Sequence, residues 1–331
     1  MKLSYHQVCT LDKTNLLQDV LLAEKYGFCY MELIAVKLHE YLENHSEEDL
    51  CKLFSEHKIK VQAINGFEIY EGFMCENDDL QKREALLKEV EFNCRIGQKI
   101  GAKALVINMP KNSFESGKPY EKEPEQILID STAILNCLCE LAQKYGIGIG
   151  VEVIGSKRSS IRTVRQVNSL FKTVNYPNLG YVLDPYNLFT YDKTLTFDSI
   201  LEADPTRIFA AHINQSEEDL PIHLLCKENR SLCDRGVMNI DRYMKNLQTI
   251  GYDGPVSIEV FPKDYWEDDA EWIVSECYKT TKAFMEKNGF IDTVCRREQN
   301  VRTNRRANTV QVSRKTTSRH RPKSGCAGRK E

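Results

Sequence analysis

Short apolar runs rich in β-branched residues recur along the first 290 residues, at 2–8, 29–34, 61–66, 104–108, 147–154, 179–183, 208–213 and 256–261. Each has the length of a strand, and several continue without polar alternation, the pattern of a strand buried on both faces. Between them, apolar residues return every three to four positions, clearest at 16–26, 86–100, 127–145 and 243–250. That spacing predicts amphipathic helices. Glycines at Gly27, Gly101, Gly146 and Gly251 close these helices as predicted C-caps before the next strand.

Eight strands alternating with helices predict an α/β chain folded as a single (β/α)8 TIM barrel over residues 1–290. An open doubly wound sheet is the alternative. The GIGIG stretch at 146–150 lies within a strand instead of opening a helix, so it is not read as a dinucleotide-binding loop. The longer connection 215–236 follows strand seven, where it can close over a substrate.

The periodicity stops near Phe290. Residues 291–331 carry 12 Lys/Arg against 3 Asp/Glu, whereas residues 1–290 carry 33 against 45, behind an overall charge of −3. An acidic body with a basic tail is expected, and the tail reads as disordered and solvated. A tail that binds anionic partners is the sharper alternative; the acidic body gives no reason to expect nucleic acid. Mean hydropathy is −0.46 and no long uncharged apolar run occurs, so no membrane helix is expected. The start of the chain does not resemble a signal peptide. Of 12 cysteines none forms a CxxC pair, and Cys94, Cys137, Cys139 and Cys277 fall inside helix patterns. Buried thiols in a reducing cytoplasm are the expectation.

Strands five to eight each end in a residue able to bind a metal: Glu152, Asp184, His212 and Glu259, separated by 32, 28 and 47 positions. Each alone has a bland explanation: a salt-bridged glutamate, an aspartate capping the next helix, a core histidine. In a parallel barrel, however, all strand C-termini meet on one face. Three carboxylates and an imidazole there suit a divalent ion such as Mn²⁺, Mg²⁺ or Co²⁺, with Zn²⁺ also accommodated. Two open positions would take a chelating carbonyl and hydroxyl.

The motifs VEVIG, VLDPYNL, AAHINQ and GVMNIDRYMKNLQTIGYDGPVSIEVF make residues 1–288 resemble the sugar phosphate isomerase/epimerase group of xylose-isomerase-like TIM barrels. The resemblance implies that Glu152, Asp184, His212 and Glu259 hold one divalent metal. It further implies that Glu152 and Glu259 exchange protons with the substrate carbon. His6, Glu32 and Asn108, at strand ends, are expected to bind substrate hydroxyls, and Asn65 to line the same pocket. Asn187 stands where many relatives carry histidine; it is expected to bind a substrate hydroxyl but cannot shuttle a proton, which puts any histidine-dependent step in doubt. Lys157 and Arg235 are candidate anion binders. Trp266 is expected to pack against a helix.

Proton abstraction α to a ketone yields an enediolate that a metal can stabilise. The expected function is therefore a metal-dependent isomerase or epimerase of a small polyhydroxy ketone or its phosphate. A dehydratase of an inosose or dehydroshikimate using the same ligands is the alternative. An endonuclease IV-like nuclease would need many site histidines, and the body has six. A non-catalytic sugar-binding barrel is the remaining option, and homo-oligomerisation is left open.

Overall fold

In the computed structural model, which describes residues 1–70, 80–112, 117–261 and 269–291, eight parallel strands close on themselves. Strands and helices run β1 (Lys2–His6), α1 (Leu16–Tyr26), β2 (Tyr30–Ile34), α2 (Ala35–Asn44), α3 (Glu47–Glu56), β3 (Lys60–Tyr70), α4 (Leu80–Ile100) and β4 (Ala104–Lys111). They continue α5 (Pro124–Gln143), β5 (Gly148–Glu152), α6 (Val164–Thr173), β6 (Leu179–Leu183), α7 (Pro185–Asp192) and β7 (Ile208–Ile213). The last elements are β8 (Gln215–Ser216), β9 (Arg230–Ser231), α8 (Ile240–Thr249), β10 (Pro255–Ile258) and α9 (Ala270–Lys287).

The barrel order is β1-β10-β7-β6-β5-β4-β3-β2, which confirms the closed barrel over the open sheet. The two short strands β8 and β9 form an antiparallel hairpin beyond β7, pairing Gln215 with Ser231 and Ser216 with Arg230. Every residue of β5 and β6 is buried, as continuous apolar runs in a parallel sheet require. Gly27, Gly101, Gly146 and Gly251 all adopt left-handed φ at the helix ends where caps are predicted.

Inside the barrel the small side chains of Ala63, Val106, Val182 and Ala210 pack together. A register shift between β6 and β7 leaves Phe209 unpaired. Its ring lies against Gly148 and Gly180, where an added Cβ would sit 2.6 Å and 2.5 Å from Phe209 Cε2. Gly148 of GIGIG thus makes room for an aromatic ring from within a strand, where no helix opens.

Residues 1–291 form one compact unit, in which the Met1 amino group donates to Phe290 O at 3.0 Å. Residues 292–331 of the expected tail, and Trp266, lie outside the described residues. Among the described residues the cysteines are free thiols; Cys94, Cys139 and Cys277 are buried, whereas Cys137 is exposed. Among the described residues no helix is long and apolar enough to cross a membrane.

Candidate metal centre

Glu152 ends β5, Asp184 follows β6, His212 lies near the end of β7 and Glu259 follows β10. Parallel strands in register bring these ends to one mouth, and one ligand atom from each falls within 4.8 Å of the other three. His212 Nδ1 lies 2.9 Å from Glu259 Oε2, 3.4 Å from Asp184 Oδ2 and 3.9 Å from Glu152 Oε1. All four side chains are buried. Among the described residues His212 Nδ1 and Glu259 Oε2 have no hydrogen-bond partner of good geometry, short as their separation is. Two buried polar atoms left in this way are costly unless a shared ligand satisfies both.

Asp184 serves two ends. Its Oδ1 accepts the Asn187 backbone N–H at 2.8 Å and caps α7, while Oδ2 faces the cage and accepts from Asn214 Nδ2 at 2.8 Å. One oxygen thus caps the helix, while the other is turned toward the other three side chains of the cage. Asn187 Nδ2 donates to Glu152 Oε1 at 2.8 Å and so belongs to the centre.

Other expected residues fall into separate places. His6 and Glu32 are buried at 2% and 0% exposure, Glu32 beneath His212 with its oxygens 3.3 and 3.2 Å from His212 Nε2. Glu32 is thus turned to His212 and away from the open mouth. Asn65 is buried and donates to Glu32 Oε1 at 3.2 Å. Asn108 is half-buried within β4, which runs on to Lys111 beyond the strand end expected, and its Oδ1 has no partner among the described residues. Lys157 and Arg235 are exposed, and Arg235 pairs with the adjacent Asp234.

The arginine that reaches the centre is Arg230, in β9. Its Nη2 lies 3.5 Å from Asp184 Oδ2 and 3.6 Å from Glu259 Oε2, and its guanidinium stacks between Tyr186 and Phe261 at 4.9 and 5.3 Å. It sits in a connection without periodicity, so no pattern in the sequence marks it out. Asn214 was findable: two positions past His212, it shares the inward face by strand alternation. Of the body's other histidines, His57 pairs with Glu24 at 2.6 Å, His39 with Glu89 at 3.1 Å and His45 with Tyr41 O at 2.9 Å. A histidine-rich polynuclear zinc site does not assemble among the described residues.

Charge is unevenly shared in the cage. Burial and the neighbouring Glu259 charge push the Glu152 carboxyl up to about 8. Burial would raise Glu259 also, but Arg230 and His212 outweigh it and hold that carboxyl well below the usual range. Burial disfavours the His212 imidazolium, yet Glu32 and Glu259 carry it well above the ordinary histidine value. Two carboxyls pushed apart in this way are the pattern of an acid/base pair.

Residues 20–276 match the family model for the xylose isomerase-like TIM barrel, and the chain belongs to that family. It is similar to the inosose isomerase of Bacillus velezensis, 31% identical over 290 residues that cover 87% of this chain and 98% of the relative. A solved structure of IOLI protein with a binding zinc atom superposes with a TM-score of 0.76 at 30% identity, covering 87% of this chain and 99% of that one. The ketose 3-epimerase of Arthrobacter globiformis is 29% identical over 135 residues, 40% of this chain and 42% of the relative.

Proposed function

We propose that this chain is a divalent-metal-dependent isomerase of a small polyhydroxy ketone, with an inosose as the first candidate substrate and the cytoplasm as its location. The observation that carries the reading is the four-residue cage with its two unpartnered buried atoms, His212 Nδ1 and Glu259 Oε2. Three carboxylates and one imidazole match the preferences of zinc, manganese, cobalt or magnesium, and the zinc of the similar solved structure favours zinc. Glu152, Asp184, His212 and Glu259 would hold the ion. A divalent ion bound there supplies a Lewis acid that polarises the substrate carbonyl and stabilises the negative charge of an enediolate.

The chain's own residues do the rest. Glu259 takes the proton from the carbon α to the carbonyl, its ionised form favoured by Arg230 and His212. Glu152, oriented by Asn187, delivers a proton to the neighbouring carbon or to the opposite face. Delivery to the neighbouring carbon, with the α-hydroxyl proton passing to the former carbonyl oxygen, moves the carbonyl; delivery to the opposite face of the α-carbon inverts that centre. Arg230 carries an Nε–H without a partner among the described residues, which is available to a substrate oxygen. Asn108 Oδ1 offers an acceptor to a hydroxyl.

Incubating metal-free and zinc-loaded protein with inososes and ketoses in D₂O tests this. Deuterium at the carbon α to the carbonyl, dependent on metal, is expected. No exchange with any substrate of the panel contradicts it, and a product with conjugated-enone absorbance would reassign the chain to a dehydratase.

A further inference from the structure

His212 has two ring nitrogens, and only one can face the cage as a lone pair while the other carries the proton. The surrounding hydrogen bonds decide which, beginning at a backbone amide. Val8 N–H donates to His6 Nδ1 at 3.1 Å, so His6 carries its proton on Nε2. That Nε2 lies 3.4 Å from Glu32 Oε1. Asn65 Nδ2 approaches the same oxygen at 3.2 Å, and two donors converging on one acceptor explain why His6 Nε2 and Asn65 Nδ2 lie only 3.2 Å apart. Glu32 is fully buried, so its oxygens have only protein donors to satisfy them.

The remaining donor is His212. Its Nε2 lies 3.3 and 3.2 Å from the two Glu32 oxygens, and an acceptor-only carboxylate requires a proton there. In the neutral imidazole that a metal ion needs, Nδ1 is then the lone pair, and it faces Glu259, Asp184 and Glu152. We propose that Glu32 is a positioning residue that sets the His212 tautomer, keeping Nε2 protonated so that Nδ1 serves as the metal ligand. The proposal rests on the metal-centre reading above.

The same polarity answers a second question. His6, Glu32 and His212 also lie within 4.8 Å of one another, close enough to be a metal group in their own right. A protonated His6 Nε2 cannot coordinate an ion, so this trio holds protons and supports the four-residue cage. In-register pairing of β1 with β2 sets His6 beside Glu32, and the His6 and His212 rings meet edge-on at 5.5 Å. A carboxylate behind a metal-bound histidine is a known way to fix ring orientation and strengthen the ligand.

Zinc-loaded full-length protein labelled with ¹⁵N-histidine tests the assignment by long-range ¹H–¹⁵N NMR. The result expected is a slowly exchanging His212 Nε2–H with the zinc-induced shift on Nδ1. Glu32→Gln, followed by chelator competition, is expected to lower zinc affinity about 10- to 100-fold, because an amide cannot accept from three donors at once. Zinc bound through Nε2 of His212, or unchanged affinity in E32Q, overturns the proposal. If E32Q does not fold, the wild-type spectrum decides alone. No zinc binding by the wild-type chain would instead sink the metal-centre reading itself.

Discussion

Asn187 donates its side-chain amide to Glu152 Oε1 at 2.8 Å, and it does so from the first turn of the helix that Asp184 caps. One turn of α7 thereby fixes two members of the cage. A histidine at this place could move a proton; asparagine can only orient one. Asn187→Ala should leave the fold intact and remove a hydrogen bond to a carboxylate, a loss of about 1.5–3 kcal/mol. In steady-state kinetics kcat/KM should fall about 10- to 100-fold. A variant within twofold of the wild type would show that Glu152 needs no such support.

The packing beneath that turn is tight. A Cβ on Gly155 would meet Asn187 O at 2.1 Å and Tyr191 N at 2.6 Å, both backbone atoms of α7 that cannot rotate away. Gly155→Ala should therefore shift the helix that carries Asn187, at a cost of about 1–3 kcal/mol. Urea unfolding should record the loss, and calorimetric titration should show weakened zinc binding alongside it. Unchanged zinc affinity would mean that α7 moves without disturbing the cage.

In the metal-free protein Glu152 keeps its proton up to a pH of about 8. An unfolded glutamate releases it near pH ~4.3. Between those values the folded state binds more protons than the unfolded state, so its stability falls as pH rises. His212, raised above its ordinary value, acts in the same direction. Zinc competes with protons for these groups, so its affinity should climb over the same window. Melting curves from pH 5 to pH 8 should show the metal-free midpoint falling and the zinc-induced increment growing. A midpoint that rises with pH would refute the assignment of Glu152 as the neutral carboxyl.

Arg230 is a buried cation facing two buried carboxylates. Arg230→Met should destabilise the metal-free protein by about 3–5 kcal/mol, because Asp184 and Glu259 lose their compensating charge. A divalent ion replaces that compensation, so the deficit should shrink on zinc loading while substrate KM rises. Equal deficits with and without zinc, read by urea unfolding, would place Arg230 outside the metal's electrostatic reach.

The parts of this molecule legible in its sequence are those written as periodic patterns. Eight apolar runs became the eight barrel strands, and glycine after α1, α4, α5 and α8 marked the turns correctly. Glu152, Asp184, His212 and Glu259 could be picked out because each ends such a run, and the barrel's symmetry turns strand ends into neighbours. Arg230 could not, because the hairpin of β8 and β9 has no apolar period to set its register. Arg235 drew notice through its neighbour Gly236, yet it points to solvent. Glu32 was placed at the right end of its strand, but the sequence does not say whether a strand-end side chain faces the open mouth or a neighbouring imidazole.

Anomalous diffraction at the zinc edge from crystals of the zinc-loaded protein examines the central claim most directly. A single strong peak within coordination distance of Glu152, Asp184, His212 Nδ1 and Glu259 is the predicted result. No peak among these four side chains, or a peak centred instead on His6, Glu32 and His212 Nε2, would contradict it.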